Sequence, residues 1–180
     1  MKKYEFTGET KNIDGHILHQ IRALMDFGNV KIGDLGGWIE SEENLSQEGN
    51  CWVYGNAQAY GNAWVGENAT VYGNAHVCKN AWVYGNARVS GDARVSGDAL
   101  VYDSAQICGD AWVYGNAQVY GNAWVYDNAR VYGDAWVYGN AQVCGNAQIY
   151  GNAKMCGDAQ AYGDFWVYRN IPPSYPIGGD

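Results

Sequence analysis

Between residues 49 and 168 the chain divides, without one insertion, into twenty hexapeptides of the form G-N-A-x-V-Y. A fixed internal period constrains a fold more tightly than any local propensity. The third position is alanine eighteen times in succession, at positions 57 through 159, and the fifth is valine apart from Ala59, Ile107, Ile149, Met155 and Ala161. These two positions lie two apart, so in an extended strand they point to the same side, and that side must be the interior. The x and tyrosine positions then face outward.

A period of six does not hold one face of a 3.6-residue helix, and Val, Trp and Tyr favour strands. Gly-Asn or Gly-Asp between the strands supplies residues that tolerate the positive φ of a tight corner. Each hexad is therefore a very short strand and a corner, and the chain winds as an all-β solenoid whose coils hydrogen-bond to one another. V-Y-G-N-A-x resembles the hexapeptide repeat of left-handed parallel β-helix proteins, in which an aliphatic residue and a small residue four later point inward. The resemblance implies a single-stranded left-handed parallel β-helix with three hexapeptides per triangular coil. Tyrosine stands here where that family usually has a small or acidic residue, and the glycine comes one place later. The leader at 23–50, ALMDFGNVKIGDLGGWIESEENLSQEGN, is similar to that of uncharacterised enterobacterial and prophage hexapeptide-repeat proteins labelled acyltransferases.

Tryptophan recurs at spacing twelve, at Trp52 and Trp64 and again at Trp112, Trp124 and Trp136, which also fits a two-sided coil or a duplicated twelve-residue unit. The triangle is preferred because Val and Ala from two walls would make a thin core. Three segments are expected: an N-terminal cap at 1–48, with strands at 3–7 and 16–25; the β-helix at 49–168; and a C-terminal cap or tail at 169–180, where Pro172 and Pro173 stop the ladder.

A net charge of −8 with a pI near 4.7 argues against a nonspecific hold on nucleic acid or an anionic membrane. No stretch reaches the roughly 18 apolar residues of a membrane span, and Met1-Lys2-Lys3 runs into Tyr4-Glu5-Phe6 without a signal-peptide core, so a cytoplasmic protein is expected. Cys51, Cys78, Cys108, Cys144 and Cys156 follow the repeat without CxxC pairs, which predicts reduced thiols and neither a metal site nor a disulfide framework. Phosphate-loop, GxSxG and HExxH signatures are missing from the sequence.

At eighteen residues per coil, the x positions form three outward columns. The third carries Trp64, Trp82, Leu100 and Trp136 beside Tyr84, Tyr102, Tyr120 and Tyr138, an aromatic wall too large for an idle surface. Burial in an oligomer is expected there, and the family resemblance implies a homotrimer; the alternative is stacking of sugar rings or bases. Mid-rod, Cys78, Ser90, Ser96 and Cys108 replace the outward tyrosine, which predicts a shallow depression. His76, Arg88, Arg94 and Arg130 are expected to gather there around Trp112, with Ser90 and Ser96, as a ligand site for a phosphate or carboxylate and a stacked base. The alternative pairs each arginine with Asp92, Asp98 or Asp110 on a solvated face.

Insertion-free coils favour binding over catalysis. The expected function is a rigid, non-catalytic, cofactor-free binding or scaffold protein, a phage or prophage accessory factor that binds a host protein or sequesters a nucleotide-like small molecule. The family resemblance implies the alternative, an acyl-CoA-dependent acyltransferase, for which His76 is the repeat's one histidine and candidate general base.

Overall fold

The computed structural model describes residues 2–170 and 176–177. It opens with β1 (Tyr4–Ile13), β2 (His16–Ala23) and β3 (Leu35–Ile39). Twenty two-residue strands follow among the described residues, from β4 (Trp52–Val53) to β23 (Trp166–Val167), one in each hexad, and then β24 (Pro176–Ile177). The one helical piece among the described residues is a 3-10 turn at Glu42–Asn44.

Each strand from β4 to β23 pairs in parallel with a strand eighteen residues away: Arg94 lies opposite both His76 and Trp112, and Leu100 opposite both Trp82 and Gln118. Three strands therefore make one coil, and the chain is a parallel β-solenoid. The twelve-residue tryptophan spacing has no structural unit behind it, since Trp112, Trp124 and Trp136 fall on three different sheets. We number the faces by their lowest short strands: the first begins at Trp52, the second at Gln58 and the third at Trp64.

The alanine column from Ala57 to Ala159 is at most 1% exposed, and the valines between Val53 and Val143 are fully buried. The tube wall leaves few backbone groups unpaired. Arg94 N–H donates to Ala111 O (2.9 Å), Ser96 N–H to Val113 O (2.9 Å) and Asp98 N–H to Gly115 O (2.8 Å), and the same three bonds recur along the rod. At the corners, asparagine side chains form ladders along the axis: Asn62 Nδ2 donates to Asn80 Oδ1 (3.0 Å) and Asn80 Nδ2 to Asp98 Oδ1 (2.8 Å). An ionised aspartate accepts but cannot donate, so it ends a ladder.

The leader extends the second face. β1 and β2 pair antiparallel, β2 and β3 likewise, and β3 joins β5 (Gln58–Ala59) in parallel. β1 runs well past the expected residue 7, because Gly8, at φ 96°, is absorbed as an irregularity in the register between Phe6 and Thr10. Asp14 and Gly15 both have positive φ and turn the hairpin, as short hairpin connections require. Trp52, placed by its column on the outside, is fully buried. Tyr4 and Phe27 of the leader pack edge-on against its indole, with ring centroids 6.0 and 5.3 Å away. Of the tail expected at 169–180, residues 171–175 and 178–180 lie outside the described residues, and Pro176–Ile177 pairs with β22 (Gln160–Ala161). Among the described residues no helix is long and apolar enough to cross a membrane.

Candidate functional site

On the second face β8 (His76–Val77), β11 (Arg94–Val95), β14 (Trp112–Val113) and β17 (Arg130–Val131) are consecutive neighbours. Their valines are locked in the tube, so the preceding residues must stack outside in the order His76, Arg94, Trp112, Arg130. The Arg94 guanidinium lies 5.1 Å from the Trp112 ring centroid and that of Arg130 5.3 Å from it. Attraction of cations to the indole holds both in place. The expected alternative, pairing with Asp92, Asp98 or Asp110, is not what the structure shows. The ion pairs among the described residues are Lys2–Glu42, His16–Glu40, Arg22–Glu5 and Lys31–Asp26, all in the leader.

Beside this stack is a pocket of about 190 Å³ lined by Asp14, Tyr60, His76, Cys78, Lys79, Arg94, Ser96 and Trp112. Its origin is a gap in a ring ladder. Above it Tyr114, Tyr132 and Tyr150 stack nearly parallel, at centroid spacings of 4.9 and 5.3 Å. In the two coils below, the same column holds Cys78 and Ser96, whose short side chains leave the space that two phenol rings would fill. The turn at Asp14 overhangs it.

Burial lowers the pKa of His76, and the positive charges of Arg94 and Lys11 lower it further against the opposing pull of Asp14 and Asp92. Its imidazole is therefore neutral near pH 7. Burial also pushes the Cys78 thiol up and, with the Cys78 side chain, the Tyr60 hydroxyl. Cys78 is thus a protonated thiol and not an activated nucleophile.

Arg88 and Ser90 do not join this cluster. β10 (Arg88–Val89) lies on the first face between Thr70 and Gln106, one corner away, because six residues along the chain turn a side chain to the next wall. On the third face Trp64, Trp82, Leu100 and Trp136 do share one sheet. The phenols of Tyr84, Tyr102, Tyr120 and Tyr138 stack at 5.1, 4.8 and 4.9 Å, so their faces are occupied by one another. Trp82 remains 49% exposed. No disulfide links the five cysteines, and among the described residues no group of three or more His, Cys, Asp or Glu could hold a metal ion.

Lys79, Asp14 and Tyr60 were not expected in the site. Lys79 had a signal: it stands at a corner position that is otherwise mostly glycine, with φ 62°. Glu67, Asp103 and Asp127 also occupy such corners, but their carboxylates accept the N–H of Gly85, Gly121 and Gly145 one coil on. Lysine has no acceptor to offer. Lys79→Gly should therefore stabilise the protein by about 0.5–1 kcal/mol, the left-handed strain less the greater freedom of glycine when unfolded. Urea denaturation measures this, and a lowered midpoint would show that the Lys79 side chain supports the fold.

The family model of the YdcK β-solenoid repeat matches residues 81–95, 93–106, 105–121 and 123–139, the coils that carry Arg94, Trp112 and Arg130. A curated protein of Escherichia coli (strain K12), named "Uncharacterized acetyltransferase YdcK", is 49% identical over 51 residues. That match covers 28% of this chain and 15% of the relative's length.

Proposed function

We propose, for a chain whose coils are those of a hexapeptide-repeat β-solenoid, a rigid non-catalytic binding function: the second face holds a nucleotide-like anionic small molecule. The observation that carries this reading is the Arg94–Trp112–Arg130 stack, two guanidinium groups without carboxylate partners among the described residues, beside a pocket that also presents Lys79. Unpaired cations in a protein of net charge −8 form a local attractor for phosphate. Because the indole already restrains both arginines, less side-chain freedom is lost when an anion docks. Tyr60 and His76 supply ring surface for the planar part of the ligand. Self-association belongs to the same proposal, with Trp82, Trp64, Trp136 and Leu100 of the third face buried in a homotrimer.

A second reading is acyl transfer from acyl-CoA. The neutral imidazole of His76, which fits a general base, and the name given to the Escherichia coli relative favour it.

Native mass spectrometry of gently purified protein reads assembly and any retained mass together. The expected result is a trimer that carries a reproducible extra mass or takes up added adenosine diphosphate, with that uptake weakened at least about tenfold, roughly 1.4 kcal/mol, by Arg94→Ala. Protein that neither retains a ligand nor binds the nucleotide rejects the binding function. Release of free CoA from acetyl-CoA that depends on an added amine or alcohol, with the acetyl group recovered on that acceptor and the activity lost in His76→Ala, would establish the second reading in its place.

A further inference from the structure

The displacement of Arg88 from the second face leaves it at the end of a different cavity. A groove of about 530 Å³ on the first face is lined by Gly28, Asn29, Asn50, Tyr54, Asn68, Thr70, Tyr72, Asn86 and Arg88. That volume is within the range of small-molecule sites. One wall is the leader loop, pinned in place by the Phe27–Val30 bridge, by Ile32 N–H donating to Asp26 Oδ1 (2.9 Å) and by Phe27 against Trp52. The other is a corner ladder in which Asn50 Nδ2 donates to Asn68 Oδ1 (3.1 Å) and Asn68 Nδ2 to Asn86 Oδ1 (3.2 Å).

That ladder ends unfinished. The next position is Ser104, and Nδ2 of the Asn86 side chain donates to nothing among the described residues. Arg88, two residues on, has among the described residues no carboxylate within 4 Å, and it also lacks the aromatic ring that Arg94 and Arg130 have beneath them. An uncommitted guanidinium and an uncommitted amide donor therefore meet at one end of the groove. Along its length are the Thr70 hydroxyl, the Asn68 and Asn50 amides, and the ring of Tyr72, which is 40% exposed.

We propose that this groove is a second binding site, for a small acidic sugar: a pyranose ring against Tyr72, its hydroxyls on Thr70 and the asparagine amides, and one anionic group on Arg88 and Asn86. The division of labour follows from the groups present. A single cation with a neighbouring N–H donor fits one carboxylate or phosphate. Amides and a hydroxyl, each donor and acceptor, suit alcohols. An aromatic ring offers the apolar face that a pyranose C–H surface covers. Asp34, whose charge raises the Tyr54 pKa after burial has done so, makes the Tyr54 end less hospitable to a second anion. The site is independent of the Arg94 pocket, which opens on another sheet.

Calorimetric titration of the whole protein with glucuronate, glucose 6-phosphate, glucose and inorganic phosphate tests this. At least one of the two acidic sugars should bind about tenfold or more tightly than both glucose and inorganic phosphate, and which one does identifies the anionic group. Arg88→Gln should weaken that binding about tenfold, Tyr72→Ala should weaken it too, and Arg94→Ala should leave it unchanged. The proposal is overturned if neither acidic sugar binds, if phosphate binds as well as they do, or if Arg88→Gln has no effect. Since the Arg94 pocket responds to the reverse pair of substitutions, failure of one site is distinguishable from failure of the other.

Discussion

The Val113→Asp variant should fail to fold its central coils, whereas Trp112→Ala, one residue earlier, should lower the urea midpoint far less and leave the protein folded. Val113 is fully buried, between Val95 and Val131 of the adjacent coils. The nearby wall N–H groups are already spent on the next coil: Arg94 to Ala111 O, Ser96 to Val113 O and Trp112 to Ala129 O. An aspartate there would be a buried carboxylate without a donor or counter-ion, which costs several kcal/mol of a total stability of about 5–15 kcal/mol. In a solenoid each coil rests on its neighbours, so damage in the middle uncouples both halves. Trp112 is 38% exposed, and its removal forfeits two cation contacts of about 0.5–1 kcal/mol each at such a site. Circular dichroism through a urea titration compares the two variants. A Val113→Asp protein with a wild-type midpoint would mean that the tube is not closed at this coil.

The same adjacency explains what was legible in the sequence. Within the repeat, one strand's register fixes every other, so the buried Ala and Val columns and the three walls follow from counting. Counting also places Arg88 on a different wall from Arg94, and proximity along the chain is a poor guide to a shared site when a corner turns every six residues. The burial of Trp52 lay beyond the repeat pattern, because it depends on Tyr4 and Phe27, residues of a leader with no period. The pocket was half legible. Cys78 and Ser96 announced missing rings, but the Asp14 turn that covers the gap comes from a hairpin whose docking is a long-range contact. Lys79 was visible as a break in the glycine rule, and its importance needed the comparison with Glu67, Asp103 and Asp127, whose carboxylates answer the next coil's N–H groups.

Stability should be nearly constant from about pH 7 to pH 9 and then collapse between about pH 10 and 12. The cause is the tyrosine ladders. Burial, then neighbouring Tyr120 and Tyr84 and the Asp103 carboxylate, push Tyr102 from 10.0 up to about 12. Tyr126 is likewise pushed up to about 12, first by its hydrogen bond with Cys144 and then by burial. Tyr84, Tyr120 and Tyr132 are raised chiefly by burial. In a stack, each phenolate that forms makes the next harder to form, so the column loses its protons in successive steps spread over a wide pH range. Below pH 10 both folded and unfolded chains hold these protons, and stability does not respond. Above it the unfolded chain releases protons that the folded chain keeps, so every step up in pH favours unfolding until the folded tyrosines themselves ionise. Cys51, Cys78 and Cys108, raised by burial from 9.0, act in the same direction from a slightly lower pH. Lys3 acts the other way. Its burial lowers its pKa from 10.5, so stability gains as pH rises toward that value, but it is one group against two classes of acid. Urea midpoints measured across this range, with tyrosinate absorbance followed in parallel, test the balance. Replacing Tyr102 and Tyr120 together by phenylalanine keeps the stacked rings while deleting two titrating hydroxyls, and should make the alkaline fall shallower. Folded protein whose tyrosines all ionise near pH 10 with no loss of midpoint would show that water, and not the next ring, covers each phenol.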